Sequence, residues 1–131
     1  MMTTMTDLNE VAAELGVTIV EHTGGDKGRW HRARRVVSLR RDLGPVNRRC
    51  TLAHELGHAA LDHEVRGDLP RWIVVRQEKD ADEWAARLLI SEVEYAVAES
   101  IHPAPSAIAR ELEVTLHLLE VWQRLHERIA A

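Results

Sequence analysis

The feature that most constrains this chain is His54-Glu55-Leu56-Gly57-His58, an H-E-x-x-H within residues 51–61. On a helix, residues four apart share a face and lie about 6 Å apart along the axis, so two imidazoles so placed can hold one Zn²⁺ together. Glu55 can reach a water at such a site without being a ligand itself. Leu52, Leu56 and Ala60 recur at helical spacing, which gives the helix an apolar face and leaves the histidines on another. Gly57 costs about 1 kcal/mol relative to alanine inside a helix, a cost that makes sense if something must approach the backbone closely there.

The rest of the chain has the balance of a folded domain. Of 131 residues, 45% are apolar and 29% charged, which excludes a disordered polyelectrolyte. No apolar run approaches the ~20 residues of a membrane span, and residues 1–7 lack the basic start and apolar core of a signal peptide. A single cysteine, Cys50, excludes an internal disulfide. Together these predict a cytoplasmic location and no membrane partner. The net charge of −4 conceals an asymmetry: residues 27–49 hold nine Lys/Arg against Asp42 alone, +8, leaving −12 elsewhere. Such a segment reads either as a surface for nucleic acid or an acidic protein, or as a solvated hairpin face that balances acidic helices.

Along the chain, residues 7–16 predict a short helix, with Asp7 as N-cap, Glu10 completing a capping box and Gly16 as the stop. β-branched residues at 17–20, a glycine turn at 23–28 and one or two strands within 30–39 form a small β-layer. Pro45 ends it, and Asn47 is the expected N-cap of the H-E-x-x-H helix. Cys50, one turn before His54, suits a buried small hydrophobe better than a ligand. Residues 62–70 read as a loop, and residues 72–75 are too short an apolar run to assign.

From about 77 to 98 the pattern is helical, with Ala81, Trp84, Ala85, Leu88 and Leu89 facing inward. After a break at 101–105, helices are expected at about 106–112 and 116–129, with Thr115 as N-cap. This unit has the look of a helix-turn-helix, but Thr115, Leu116, His117 and Leu118 suit packing better than base reading. The expected fold is α+β: one domain over 1–131, its small sheet packed on two site helices, with a helical extension at 99–131.

A hydrolytic zinc site takes three protein ligands and leaves a position open. The helix at 77–98 offers Glu78, Asp80, Asp82 and Glu83. Glu78 and Asp82 share a face bordering the apolar stripe, so one can point at the histidines while the other orients an imidazole. Asp80 is the next choice, and all four acids as a solvated face is the plain alternative.

The two stretches together, residues 51–63 and Glu78-Lys-Asp-Ala-Asp-Glu-Trp-Ala-Ala-Arg-Leu-Leu-Ile90, resemble the ImmA/IrrE family of metallopeptidases. The resemblance is good over about 15–92 and looser outside it. It implies a zincin architecture, with His54, His58 and Glu78 as zinc ligands, Glu55 as general base and Asp82 as the acid behind them. Cys50, Trp84 and Ser91 depart from the family's usual aromatic, Phe and Pro, away from the chemistry. It further implies a protein substrate, a helix-turn-helix repressor of a phage, mobile element or stress response.

For the oxyanion, His63, Tyr95 and His102 stand as alternatives. The strand at 35–39 is the expected substrate edge, its arginines gripping an acidic linker. The rival expectation is a non-catalytic, zinc-containing regulator that binds a repressor or DNA through residues 27–49 and the helical tail.

Overall fold

The computed structural model describes residues 6–130, with side chains through Glu127. Six helices and a three-stranded sheet follow in the order α1 (Leu8–Glu14), β1 (Thr18–His22), β2 (Gly28–His31), β3 (Val36–Arg40), α2 (Pro45–Ala60), α3 (Arg71–Leu89), α4 (Glu92–Ile101), α5 (Pro105–Glu111) and α6 (Leu116–Ala130). The α+β class read from the sequence is the class observed. Asp7 caps α1 by accepting from the Asn9 and Glu10 amides. The sheet order is β1-β3-β2, with β1 parallel and β2 antiparallel to β3.

That order corrects one expectation. The strand leading into the H-E-x-x-H helix is β3, and it is central, with Val37 and Leu39 fully buried. Because β1 pairs with its far side, β3 has no open edge for a substrate. The edge beside the helix is β2.

Element boundaries also differ from the sequence reading. Helix α2 is capped by Gly44 and begins at Pro45, where a missing N–H costs nothing and the fixed φ suits the first turn. Asn47 instead accepts from the Lys27 ammonium at 3.3 Å. The apolar run at 72–75 is the first turn of α3, with Trp72 exposed. The helix expected over 77–98 is two helices: Ile90 is extended, and the Ser91 hydroxyl caps α4 by accepting from the Glu94 amide at 3.1 Å. Ser91-x-x-Glu94 is a capping signal lying inside the assumed helix.

Three helices end in the same way. Gly16, Asp62 and Glu113 adopt φ of 68°, 53° and 55°, and the following amide bonds five residues back, Val17 to Ala12, His63 to His58 and Val114 to Ala109. This is the left-handed helix stop with its six-to-one bond. The likeness of residues 13–18 to 110–115 is this shared ending.

The core is one cluster reaching from Leu8 and Ala12 of α1, through Leu52 and Leu56 of α2 and Ala85 and Leu89 of α3, to Leu118, Leu119, Trp122 and Leu125 of α6. The C-terminal helices thus contribute to the same interior as the sheet and the site helices. Among the described residues, no helix is long and apolar enough to cross a membrane.

Candidate active site

Two glycines bring the walls of the site together. A Cβ on Gly57 would stand 2.9 Å from the Ala81 carbonyl oxygen and 3.1 Å from its Cα, so the backbone of α3 lies directly against α2. This is the close approach that a glycine in mid-helix suggested. One turn before Ala81, the same face of α3 presents Glu78 to the histidines. On the other side, a Cβ on Gly28 would stand 2.8 Å from Glu55 Cγ and 2.7 Å from Thr51 Cγ2. Gly28 has ordinary strand φ, so its need for no side chain comes from the space that Glu55 fills.

His54, His58 and Glu78 converge. One Glu78 oxygen, Oε2, lies 2.9 Å from His54 Nε2 and 2.7 Å from His58 Nε2, and the three candidate ligand atoms lie within 4.8 Å of one another. The donor set fits a metal ion on chemical grounds. Two imidazoles and a carboxylate are the His₂Glu ligands of hydrolytic zinc, and each histidine turns Nε2 to the common point while its Nδ1 is held by another residue. For His54 the holder is Asp82, Oδ1 at 2.7 Å. For His58 it is His63, Nδ1 to Nδ1 at 2.9 Å. This is the outer support that fixes a ligand imidazole's tautomer and plane.

The placement of His63 follows from the helix stop. Its amide bonds the His58 carbonyl at 2.9 Å, which folds the residue back over the last turn of α2 and sets ring against ring. Burial, and then the neighbouring His58, push the His63 imidazole below its ordinary range. A neutral His63 can accept from His58 Nδ1–H, leaving His58 Nε2 free as a ligand. Trp30 Nε1 donates to the His63 carbonyl at 3.0 Å, tying β2 to this turn.

The electrostatics follow the same geometry. Burial works against a charged His54, but the hydrogen bonds it donates to Asp82 and Glu78 outweigh it and push its pKa up to about 10. Glu78, hydrogen-bonded by both histidines, is held well below the usual carboxylate range. The raised His54 and the lowered Glu78 are two sides of one contact, which favours positive charge beside the Glu78 carboxylate. Glu55, 8% exposed, is the buried acid of the site, and burial pushes it above the usual carboxylate range despite the two histidines. A carboxylate so raised is a stronger base.

A cleft of about 670 Å³ opens here. Its floor is α2, with Cys50, Thr51, His54, Glu55 and His58, and its walls are β2, the Glu78–Asp82 turn of α3 and the start of α6. Tyr95 and His102 are not brought to it. Tyr95 packs on Trp122 and bonds Glu99 and Gln123, while His102 faces Glu111 at 3.8 Å. Asp80 faces Arg76. Cys50 is buried, its thiol pushed up by that burial, and it is not in the His-His-Glu group.

Two cleft residues escaped the sequence reading. Gly28 looked like part of a turn, and His117 like packing at the head of a helix. His117 is exposed and gives Nε2 to Asp82 Oδ2 at 2.8 Å. Neither carries a signal in its own neighbourhood of sequence, because each acts through a partner more than twenty residues away.

No curated relative matches the chain. The family model of the IrrE N-terminal-like domain, a peptidase family, matches residues 9–121, a span that contains α2, α3 and the start of α6. On that match, and with the His-His-Glu group in place, the chain belongs to the IrrE N-terminal-like peptidase family.

Proposed function

We propose that the protein is a zinc-dependent endopeptidase acting in the cytoplasm on a helix-turn-helix repressor. The observation that carries the chemistry is the convergence of His54 Nε2, His58 Nε2 and Glu78 beside a buried Glu55 in an open cleft. The repressor as substrate rests on the ImmA/IrrE resemblance.

His54, His58 and Glu78 would hold the ion, which supplies Lewis acidity for the scissile carbonyl and for a water whose pKa it lowers towards ~7. Glu55 takes the proton of the attacking water and delivers it to the leaving amine. Its burial keeps that proton-accepting group desolvated and reactive, and Gly28 leaves room for it. Asp82 and His63 hold the two imidazoles in plane. The free edge of β2 offers main-chain groups to an extended substrate segment, which would lie across the cleft mouth.

The basic segment favours this reading over nucleic-acid binding. Arg29, Arg32, Arg35, Arg40 and Arg41 each face a carboxylate of this chain, and Arg49 is spent on the Leu112 and Glu113 carbonyls. Charge used within the fold leaves less for phosphates.

The test is incubation with a helix-turn-helix repressor encoded beside this chain's gene, read by mass spectrometry of the fragments. Cleavage should stop on chelation and return with zinc, and His54→Ala should lose both zinc and cleavage. Cleavage that persists in chelator would rule out the metal mechanism.

A further inference from the structure

Glu78 meets both histidines through one oxygen, whereas Asp82 is engaged through both of its oxygens. Its Oδ1 takes His54 Nδ1 at 2.7 Å and its Oδ2 takes His117 Nε2 at 2.8 Å. A carboxylate with one anchor can swing about its terminal torsion, which is broad. With both oxygens engaged, its plane and its aim at His54 are fixed. The outer anchor comes from α6, and α6 is held firmly at that end. Thr115 caps it by accepting from the Leu118 amide at 3.2 Å, and Leu118 and Leu119 are buried in the core. The turn before it is tied to α2, where the Arg49 guanidinium donates to the Leu112 and Glu113 carbonyls at 3.4 and 2.7 Å. His117 sits on the second residue of α6 and lines the same cleft as Glu55.

We propose that His117 is a positioning residue of the metal site, acting through Asp82 on His54, so that the helix-turn-helix-like pair α5–α6 is built into the active site. A hydrogen bond whose outer partner is as exposed as His117 contributes little to stability. Its effect lies in where it points Asp82, since partners behind a ligand imidazole govern metal affinity by about 10- to 100-fold. His117 stands one bond further out, and a smaller effect follows, roughly 3- to 10-fold. This inference rests on the metal site of the proposed function but not on any substrate.

The experiment is a competition between the full-length metal-free protein and a zinc-chelating dye. His117→Ala should weaken zinc binding about 3- to 10-fold with the melting temperature nearly unchanged. His117→Gln, whose amide N–H reaches the place of Nε2, should recover most of the loss. In an Asp82→Ala background, His117→Ala should add almost nothing, as a double-mutant cycle requires of a residue acting through its neighbour.

Unchanged affinity in His117→Ala, a Gln variant as weak as Ala, or an equal loss in both backgrounds each overturns the proposal. The last outcome would mean that His117 acts without Asp82. Should Asp82→Ala not fold, the Ala and Gln comparison still decides. A wild-type protein that binds no zinc would instead fail the proposed function, which separates the two results.

Discussion

The helix pair α2–α3 lines the cleft directly, whereas the pair α5–α6 reaches it only through the start of α6, and the two contribute by different means. In α2–α3 the chemistry is in the residues themselves, a His-Glu-x-x-His turn facing a Glu-x-x-x-Asp turn across the Gly57 contact. In α5–α6 nothing is catalytic by type. The pair contributes a capped helix start, a buried anchor in Leu118 and Leu119, and one imidazole aimed at a carboxylate on the first pair. The first region brings the His-His-Glu group together, while the second supplies a wall and a second anchor for Asp82. A site of this kind therefore depends on packing well beyond its motif.

The largest expected effect tests whether α5–α6 belongs to that interior. Leu119 is fully buried in the cluster shared with α2 and α3, so Leu119→Ala should cost about 2–5 kcal/mol in denaturant unfolding. A loss below about 1 kcal/mol would mean that the tail packs loosely and that the two regions are separable.

Gly28→Ala comes next. A methyl there would crowd Glu55 Cγ at 2.8 Å, and displacing the proposed base by about 1 Å costs on the order of 100-fold in turnover. Zinc content should be unchanged, because neither residue belongs to the His-His-Glu group. Turnover equal to wild type would show that Glu55 tolerates the intrusion.

The smallest effect is on the pH dependence of the metal-free protein. His54 rises from 6.5 to about 10 on folding. Its bonds to Asp82 and Glu78 therefore stabilise fully below about pH 6.5, and that stability is lost as pH climbs through about 10. The melting-temperature gap between wild type and His54→Ala should be larger at pH 6 than at pH 10.5, by at least the few degrees that about 1 kcal/mol produces in a domain of this size. An equal gap at both pH values would mean that the α2–α3 contacts carry no such charge.

The same contrast explains what was legible in the sequence. His54, Glu55 and His58 stand out because helical geometry and ligand chemistry act within one turn, and Glu78 with Asp82 stands out as the same logic repeated on a facing helix. The α+β class and the Asp7 and Thr115 caps were likewise local. What could not be read depends on contacts between distant segments. That β3 is central and β2 the open edge follows from the pairing of β1 with β3, which no pattern within either strand records. His63 reaches His58 through a left-handed residue at Asp62, a contact the sequence did not record when it offered His63 as one of three alternatives for the oxyanion. His117 meets Asp82 only because the core fixes α6 beside α3.

The central claim is that Glu55 performs the proton transfers while His54, His58 and Glu78 hold the metal. Glu55→Gln separates these roles in one protein, measured as zinc per chain together with fragments released from the repressor. The account predicts one zinc per chain and no cleavage above background. Cleavage at the wild-type rate by a zinc-loaded Glu55→Gln protein would contradict it.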